Sequence, residues 1–264
     1  MHRAATPLML SLLSTNGRDA AGKAIAWDVS GFRVSAEQRG AGGGAGGDFY
    51  TLAVRARGRI GVLIGDVCGR GPEARAQLAR IFPRIRELAL SGESPARLLA
   101  KLNATVIAEL ALDSFVTAAA FELDLPAGLL TVANAAHVPA VVRRAGKVAI
   151  VGRASGAPLG FSADTTYVDE CRSLLPHDVI VLMTDGVLEA VEANLSTMST
   201  LRSSLANTRV NGAGVHRLLL QMFEACARGR QDDDMTLLTL EAASPPLAAT
   251  ARWTLPANSR ALAS

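Results

Sequence analysis

At 264 residues the chain is long enough for one domain with a substantial core. A composition of 49% hydrophobic and 19% charged residues is globular and excludes a disordered chain; with aromatics at only 4%, the core must be built from Ala, Val, Leu and Ile. The net charge of +3 is mild, and no Lys/Arg block interleaves with aromatics, so nucleic acid is not an expected partner.

Three cysteines (Cys68, Cys171 and Cys226), none in a C-x-x-C spacing, argue against a disulfide framework or a zinc site and for reduced thiols in the cytoplasm. The short apolar run Pro7 to Leu13 sits at the lower limit of a signal-peptide core with no clear cleavage site after it. No apolar stretch approaches the ~20 residues that a membrane span needs, so no membrane association is expected. Residues 1–26 read as a loosely ordered lead-in, 27–243 as the domain, and 244–264, with Pro245-Pro246, as a mobile tail.

In chain order, Asp48 to Arg55 and Arg59 to Val67 are strand-like runs joined at Arg57-Gly58, a hairpin in which Gly58 supplies a positive φ. Counting back from a turn near residue 57 puts Asp48 nearly opposite Asp66. Opposed like charges on neighbouring strands are destabilising unless compensated. Two readings stand at this point: a register one residue off with both carboxylates solvated on opposite faces, or a shared cation. A helical pattern starts at Pro72, and Pro83 predicts a kink or break in it. Ser94-Pro95 reads as a cap and helix start, with Leu98, Leu99, Leu102, Val106 and Leu110 on one face.

Two further hairpins follow, Phe115–Leu123 with Leu129–Asn134 and Pro139–Arg144 with Lys147–Val151. Asp178 to Thr184 is almost wholly apolar and reads as a central strand buried on both faces. Ala213 to Gly229 is amphipathic, and Met235 to Glu241 is a last strand. Hairpins with clustered helices imply an α+β fold with antiparallel sheets rather than a dinucleotide-binding layout.

One event recurs: an apolar strand ends and an Asp appears beside Gly or another Asp, at Asp48, Asp66, Asp185 and Asp232-Asp233-Asp234. Any single case reads as a turn, since Asp and Gly dominate turns. Taken together, an all-carboxylate set without His or Cys suits hard cations. Two such ions can activate water and clamp a phosphoryl group.

The segments Gly46-Gly47-Asp48-Phe49-Tyr50, Gly65-Asp66-Val67-Cys68-Gly69-Arg70-Gly71, Asn134-Ala135-Ala136-His137, Ala157-Pro158-Leu159-Gly160, Thr184-Asp185-Gly186-Val187-Leu188-Glu189-Ala190 and Asp233-Asp234-Met235-Thr236 stand in the order seen in the SpoIIE-like branch of the PPM metal-dependent protein serine/threonine phosphatases, which the chain resembles from about residue 27 to 243. The resemblance implies two packed antiparallel β-sheets flanked by helices, an α-β-β-α sandwich. It implies two Mn2+ or Mg2+ ions at one edge, held by Asp48, Asp66 (the bridge), the Val67 carbonyl, Asp185 and Asp233, with Asp234 further out. It also implies attack of a metal-bridging hydroxide on a phosphoserine or phosphothreonine of a partner protein, of the anti-sigma-factor antagonist type. The alternative is a non-catalytic pseudophosphatase that binds the same partners. A homodimer is compatible with the sequence.

Cys68 reads as packing, His137 as structural, and Arg70 as a residue able to approach a phosphate. Three departures from the family pattern stand out: Thr51 where an Asp is usual, which would weaken the outer shell of the metal; the Gly-rich run Gly40 to Gly47, which predicts a mobile approach to Asp48; and Pro83 in the first helix.

Overall fold

In the computed structural model the described residues are 8–12, 25–41, 46–55, 58–153, 156–192, 197–206, 210–227 and 233–243. In chain order the elements are β1 (Leu8–Leu12), β2 (Ile25–Val29), β3 (Phe32–Arg39), β4 (Asp48–Arg55), β5 (Arg59–Val67), α1 (Gly71–Leu90), α2 (Pro95–Glu109), β6 (Val116–Asp124), β7 (Leu129–Ala135), β8 (Ala140–Arg144), β9 (Lys147–Val151), β10 (Glu170–Ser173), β11 (Val179–Met183), α3 (Asp185–Glu192), α4 (Thr197–Ala206), α5 (Gly212–Ala227) and β12 (Met235–Ala242). The strands form two antiparallel six-stranded sheets, ordered β1-β4-β5-β6-β7-β10 and β2-β3-β12-β11-β8-β9. The expected α+β sandwich is the observed one.

Alternation along β4 and β5 sorts the apolar side chains into two cores. Tyr50, Leu52, Ile60, Val62 and Ile64 face the second sheet, where they meet Val34, Ile180, Leu182, Leu238 and Leu240. Phe49, Leu63 and Val67 face the opposite way, into a layer shared with Leu78, Ile81 and Ile85 of α1 and with Leu98, Leu99, Leu102 and Val106 of α2. A third core lies outside the second sheet, between Val181, Met183, Met235 and Leu237 and the α5 residues Val215, Leu219 and Phe223. Both sheets are therefore covered on both faces, which is why β4, β5, β11 and β12 read as nearly unbroken apolar runs.

Several expectations are corrected here. Residues 8–12, read as part of a loose lead-in, form β1 and pair with β4 from Leu8↔Val54 to Leu12↔Tyr50. The first part of β2 also lies within the lead-in, whereas the tail 244–264 lies outside the described residues. Pro83 does not end α1: its ring sits on the exposed side, while Ile81, Phe82 and Ile85 around it are buried and hold one continuous 20-residue helix to the sheet. Ser94 is the N-cap residue of α2, as its position implies, but its side chain makes no capping bond. The Asp169 carboxylate takes that place and accepts from the Ala96 amide at 2.7 Å.

A candidate carboxylate metal site

The β4–β5 register pairs Asp48 with Asp66, the alignment counted from the turn. Both share the face of Tyr50 and Ile64, so both carboxyl groups point between the sheets rather than to opposite sides. Thr184 and Asp185 follow the end of β11, and Asp233-Asp234 precede β12. These ends meet at one edge of the sandwich. A Cβ on Gly186 would lie 1.9 Å from the Asp234 carbonyl oxygen and 3.5 Å from Asp233 Cβ, so the turn carrying Asp185 is pressed against the Asp233-Asp234 turn. All four predicted aspartates thus come to one place.

Asp48 is the most buried of them at 4% exposure, whereas Asp185 is exposed, so the site opens to solvent on the Asp185 side. Asp48 Oδ2 accepts two hydrogen bonds, from Thr184 Oγ1 and Thr236 Oγ1, each at 2.8 Å. The Thr236 amide in turn donates to Thr184 Oγ1 at 2.8 Å, which fixes that hydroxyl's orientation. Gln38, directly across from Thr236 in the β3–β12 pairing, donates from Nε2 to the Asp48 carbonyl at 2.9 Å. Sequence reading assigned these three residues no role. Thr184 and Thr236 stand inside recognised motifs, and that adjacency was the only available signal.

Burial pushes the Asp48 carboxyl up to about 8 against the opposing pull of the two threonine hydroxyls, and Asp234 and Asp185 add repulsion. Asp66 is pushed up to about 9, by burial first and then by the charges of Asp48, Asp185, Asp233 and Asp234. Asp233 is also raised, chiefly by burial, while the Asp234 amide and Arg70 work against it. Asp178 makes the contrast. It is fully buried, yet Arg144 donates to both its oxygens (2.7 Å from Nε, 2.6 Å from Nη2) and the Leu175 amide donates to one, at 2.8 Å. Among the described residues no ion pair reaches Asp48, Asp66 or Asp185, and the nearest cation is Arg70, 3.7 Å from Asp233 Oδ2.

Such a cluster fits hard divalent cations. Every donor is oxygen, the carboxylates repel one another, and positive charge between them removes the cost. A cradle at Gly47 supports this: a Cβ there would stand 2.5 Å from the Val67 carbonyl oxygen and 2.8 Å from Asp66 Oδ1, so only glycine leaves these oxygens clear. The Val67 amide is held by the Gly47 carbonyl at 3.2 Å. Among the described residues no three of these groups already form a closed cation cage. The fit therefore rests on the donor set, its convergence and its unbalanced charge.

The remaining expectations resolve from their neighbours. Asp234 accepts from the Ala41 amide at 2.8 Å and the Gly47 amide at 2.9 Å, so it clips together the two ends of the Gly-rich run. Those ends are pinned; residues 42–45 between them lie outside the described residues. Thr51 does not affect the cluster, because alternation turns it toward the helix layer, away from Asp48 and Asp66. His137 is buried and neutral: desolvation pushes its imidazole down to about 4, its Nδ1 lies 3.0 Å from Thr117 Oγ1, and Thr117 pairs with Asp66 across β5–β6. Its amide donates to Asn134 Oδ1 at 2.7 Å. The Cys68 sulfur accepts from the Phe115 amide at 3.1 Å.

Solved structures share this architecture. The phosphatase domain with a regulatory fragment of SpoIIE from Bacillus subtilis superposes with a TM-score of 0.70 at 18% identity, over 84% of this chain and 65% of that one. The RsbU and RsbW domains of Rv1364c from Mycobacterium tuberculosis give 0.68 at 25% identity, over 83% of this chain and 62% of theirs. The phosphoserine phosphatase RsbU of Bacillus subtilis (strain 168) is 28% identical over 170 residues, 64% of this chain. The chain spans about half the length of that relative, 49% of it. The family described as stage II sporulation protein E (SpoIIE) matches residues 56–243, well over half of the sequence and nearly all of the sandwich after β4. With a shared sandwich architecture and a family match running from the turn before β5 to the end of β12, the chain belongs to the SpoIIE family.

Proposed function

We propose that the chain is a phosphoprotein phosphatase, dependent on two Mn2+ or Mg2+ ions, that hydrolyses phosphoserine or phosphothreonine on a regulatory partner of the anti-sigma-factor antagonist type in the cytoplasm. The observation that carries this reading is the Asp48–Asp66 pair, aligned on one face between the sheets and surrounded by Asp185, Asp233 and Asp234. The name of the related RsbU, a phosphoserine phosphatase, supports the substrate class. The free thiols Cys68 and Cys171 suit a reducing compartment, and no helix among the described residues is long and apolar enough to cross a membrane.

In this reading Asp48, Asp66, Asp185, Asp233 and the Val67 carbonyl hold the ions. When bound, divalent ions supply the Lewis acidity that activates water and neutralises charge on the phosphoryl group. The chain's own residues prepare the site. Thr184 and Thr236 hold Asp48 in one orientation and favour its ionised form. Asp234 keeps the Gly47 backbone at the site. No cysteine nucleophile is required, and the Cys68 sulfur is engaged by Phe115.

The test is turnover of p-nitrophenyl phosphate by the purified protein with Mn2+, with Mg2+ and with a chelator, beside Asp185→Asn. The expected result is cation-dependent turnover that falls by more than about 100-fold in the variant, since even partners outside a metal's ligand set are worth 10–100-fold. No turnover here or with a phosphorylated partner protein would replace this reading with the non-catalytic binding module.

A further inference from the structure

Beside the carboxylate cluster lies an exposed apolar rim. The α2–β6 connection carries Leu112, fully exposed, and Phe115, 39% exposed; the segment after Leu159 carries Phe161, 74% exposed. The two segments run side by side. Val116 and Leu159 exchange backbone hydrogen bonds at 2.9 and 2.8 Å, and a Cβ on Gly160 (φ +92) would stand 3.0 Å from the Ser114 carbonyl oxygen and 3.6 Å from Phe115 Cα. Ile107, on the last turn of α2, adds a fourth exposed apolar side chain near the same junction.

Backbone bonds tie this rim to the cluster. Cys68 donates its amide to the Phe115 carbonyl at 3.0 Å and accepts the Phe115 amide on its sulfur at 3.1 Å. Thr117, the cross-strand partner of Asp66, is two residues from Phe115, so the rim begins about 7 Å of backbone from the residue paired with Asp66. On the other side of Cys68, Arg70 is exposed and lies within 3.7 Å of Asp233. Exposed aromatic and aliphatic side chains in one patch mark an interaction surface when they border a site rather than scatter.

We propose that Leu112, Phe115 and Phe161 form a docking rim for the phosphoprotein substrate, receiving apolar side chains that flank the phosphorylated residue while Arg70 meets the phosphate. This rests on the phosphatase reading above. The occupant is argued from continuity and charge: about 7 Å is the span of two residues of extended peptide, so a chain whose phosphate lies at the cluster passes its next side chains over Phe115, and the exposed Arg70 guanidinium beside Asp233 matches a dianionic group. The rim thereby reads the protein around the phosphate, and a small phosphate ester does not touch it.

Three probes test this: p-nitrophenyl phosphate, a short phosphoserine peptide flanked on both sides by Leu and Phe, and the same peptide flanked by Ser. Each is run with the full chain and with a Leu112→Ser/Phe161→Ser variant, whose changed side chains are exposed. The expected result is a preference for the apolar peptide of roughly tenfold in kcat/KM, carried mostly in KM and lost in the variant, with p-nitrophenyl phosphate turnover unchanged. Equal handling of the two peptides by the unaltered chain, or a preference that survives in the variant, overturns the docking rim alone. A variant that changes only the sedimentation of the protein, with peptide preference intact, makes the rim a contact between copies and also overturns it. Failure of all three probes overturns the phosphatase reading, and the rim with it.

Discussion

Thr236 Oγ1 donates to Asp48 Oδ2 at 2.8 Å, joining two residues 188 positions apart and on different sheets. Thr184 donates to the same oxygen, so one buried carboxylate at the start of β4 is held by hydroxyls from β12 and from the end of β11. The bond network belongs to neither sheet alone; it exists only when the sandwich closes.

Removing one of these donors separates their roles. Thr236→Val keeps the side-chain shape but leaves Asp48 with one hydroxyl. It is expected to lower divalent-cation affinity by about 10–100-fold, read by cation titration of turnover. Thr184→Val is expected to cost more stability, because it also strips the Thr236 amide of its acceptor. A penalty of about 1–3 kcal/mol per unsatisfied buried group is expected in urea unfolding.

Cation binding should stabilise the fold itself. Asp66 carries a folded-state value near 9, so folding at pH 7 without cations takes up a proton that the unfolded chain would release. At a cation concentration ~100 times the dissociation constant the gain is about 2.7 kcal/mol, or roughly 5–10 °C in Tm for a chain of this size. Asp66→Asn is expected to raise the cation-free Tm, by removing the cost of that proton uptake, and to abolish the shift. An unchanged cation-induced shift in that variant would remove Asp66 from the ligand set.

The N-terminus of α2 distinguishes a sequence-local cap from a tertiary one. Asp169→Ala removes the acceptor of the Ala96 amide and is expected to cost about 1 kcal/mol in thermal or urea unfolding. Ser94→Ala, at the N-cap itself, should be nearly silent, because its hydroxyl makes no capping bond.

His216 sets part of the acid limit. It is buried behind the second sheet with Nδ1 3.1 Å from Thr239 Oγ1; burial pushes it down to about 4, while Glu37 pulls the other way. The unfolded chain therefore binds the extra proton first, from about pH 6.5 downward, and the folded chain only near 4. Stability is expected to fall as pH drops through that window and to level below it. His216→Gln should flatten the slope between pH 6.5 and 4 in equilibrium unfolding, with turnover at neutral pH unchanged. A slope identical to that of the unaltered chain would assign the acid loss to other groups, His137 first.

How far the residues alone reached depends on the range of the interaction. The β4–β5 hairpin was legible, ends and register included, because Gly58 closes it locally and one count along two strands aligns Asp48 with Asp66. The same holds for the buried face of α2, whose period is local. β3 is not legible in the sequence, since Arg33, Ser35, Glu37, Gln38 and Arg39 dilute its apolar pattern; Ser35, Glu37 and Gln38 are buried in place, where β3 pairs with β12 and packs against α5. The pattern around Pro83 predicted a break, but packing of Ile81, Phe82 and Ile85 carries the helix through.

The sequence by itself determined which residue types meet a cation, that they stand at strand ends, and which of them share a hairpin, because propensity, alternation and tight turns act over a few residues. Only the tertiary structure decided that both hairpin carboxylates face inward, that Thr184, Thr236 and Gln38 hold Asp48, and that Asp234 serves the loop. Those outcomes depend on which strand ends meet when two sheets pack: Gln38 is 10 positions from Asp48 but on the other sheet, and the contacts of Thr184, Thr236 and Asp234, 136 to 193 positions apart, leave no periodic trace in the chain.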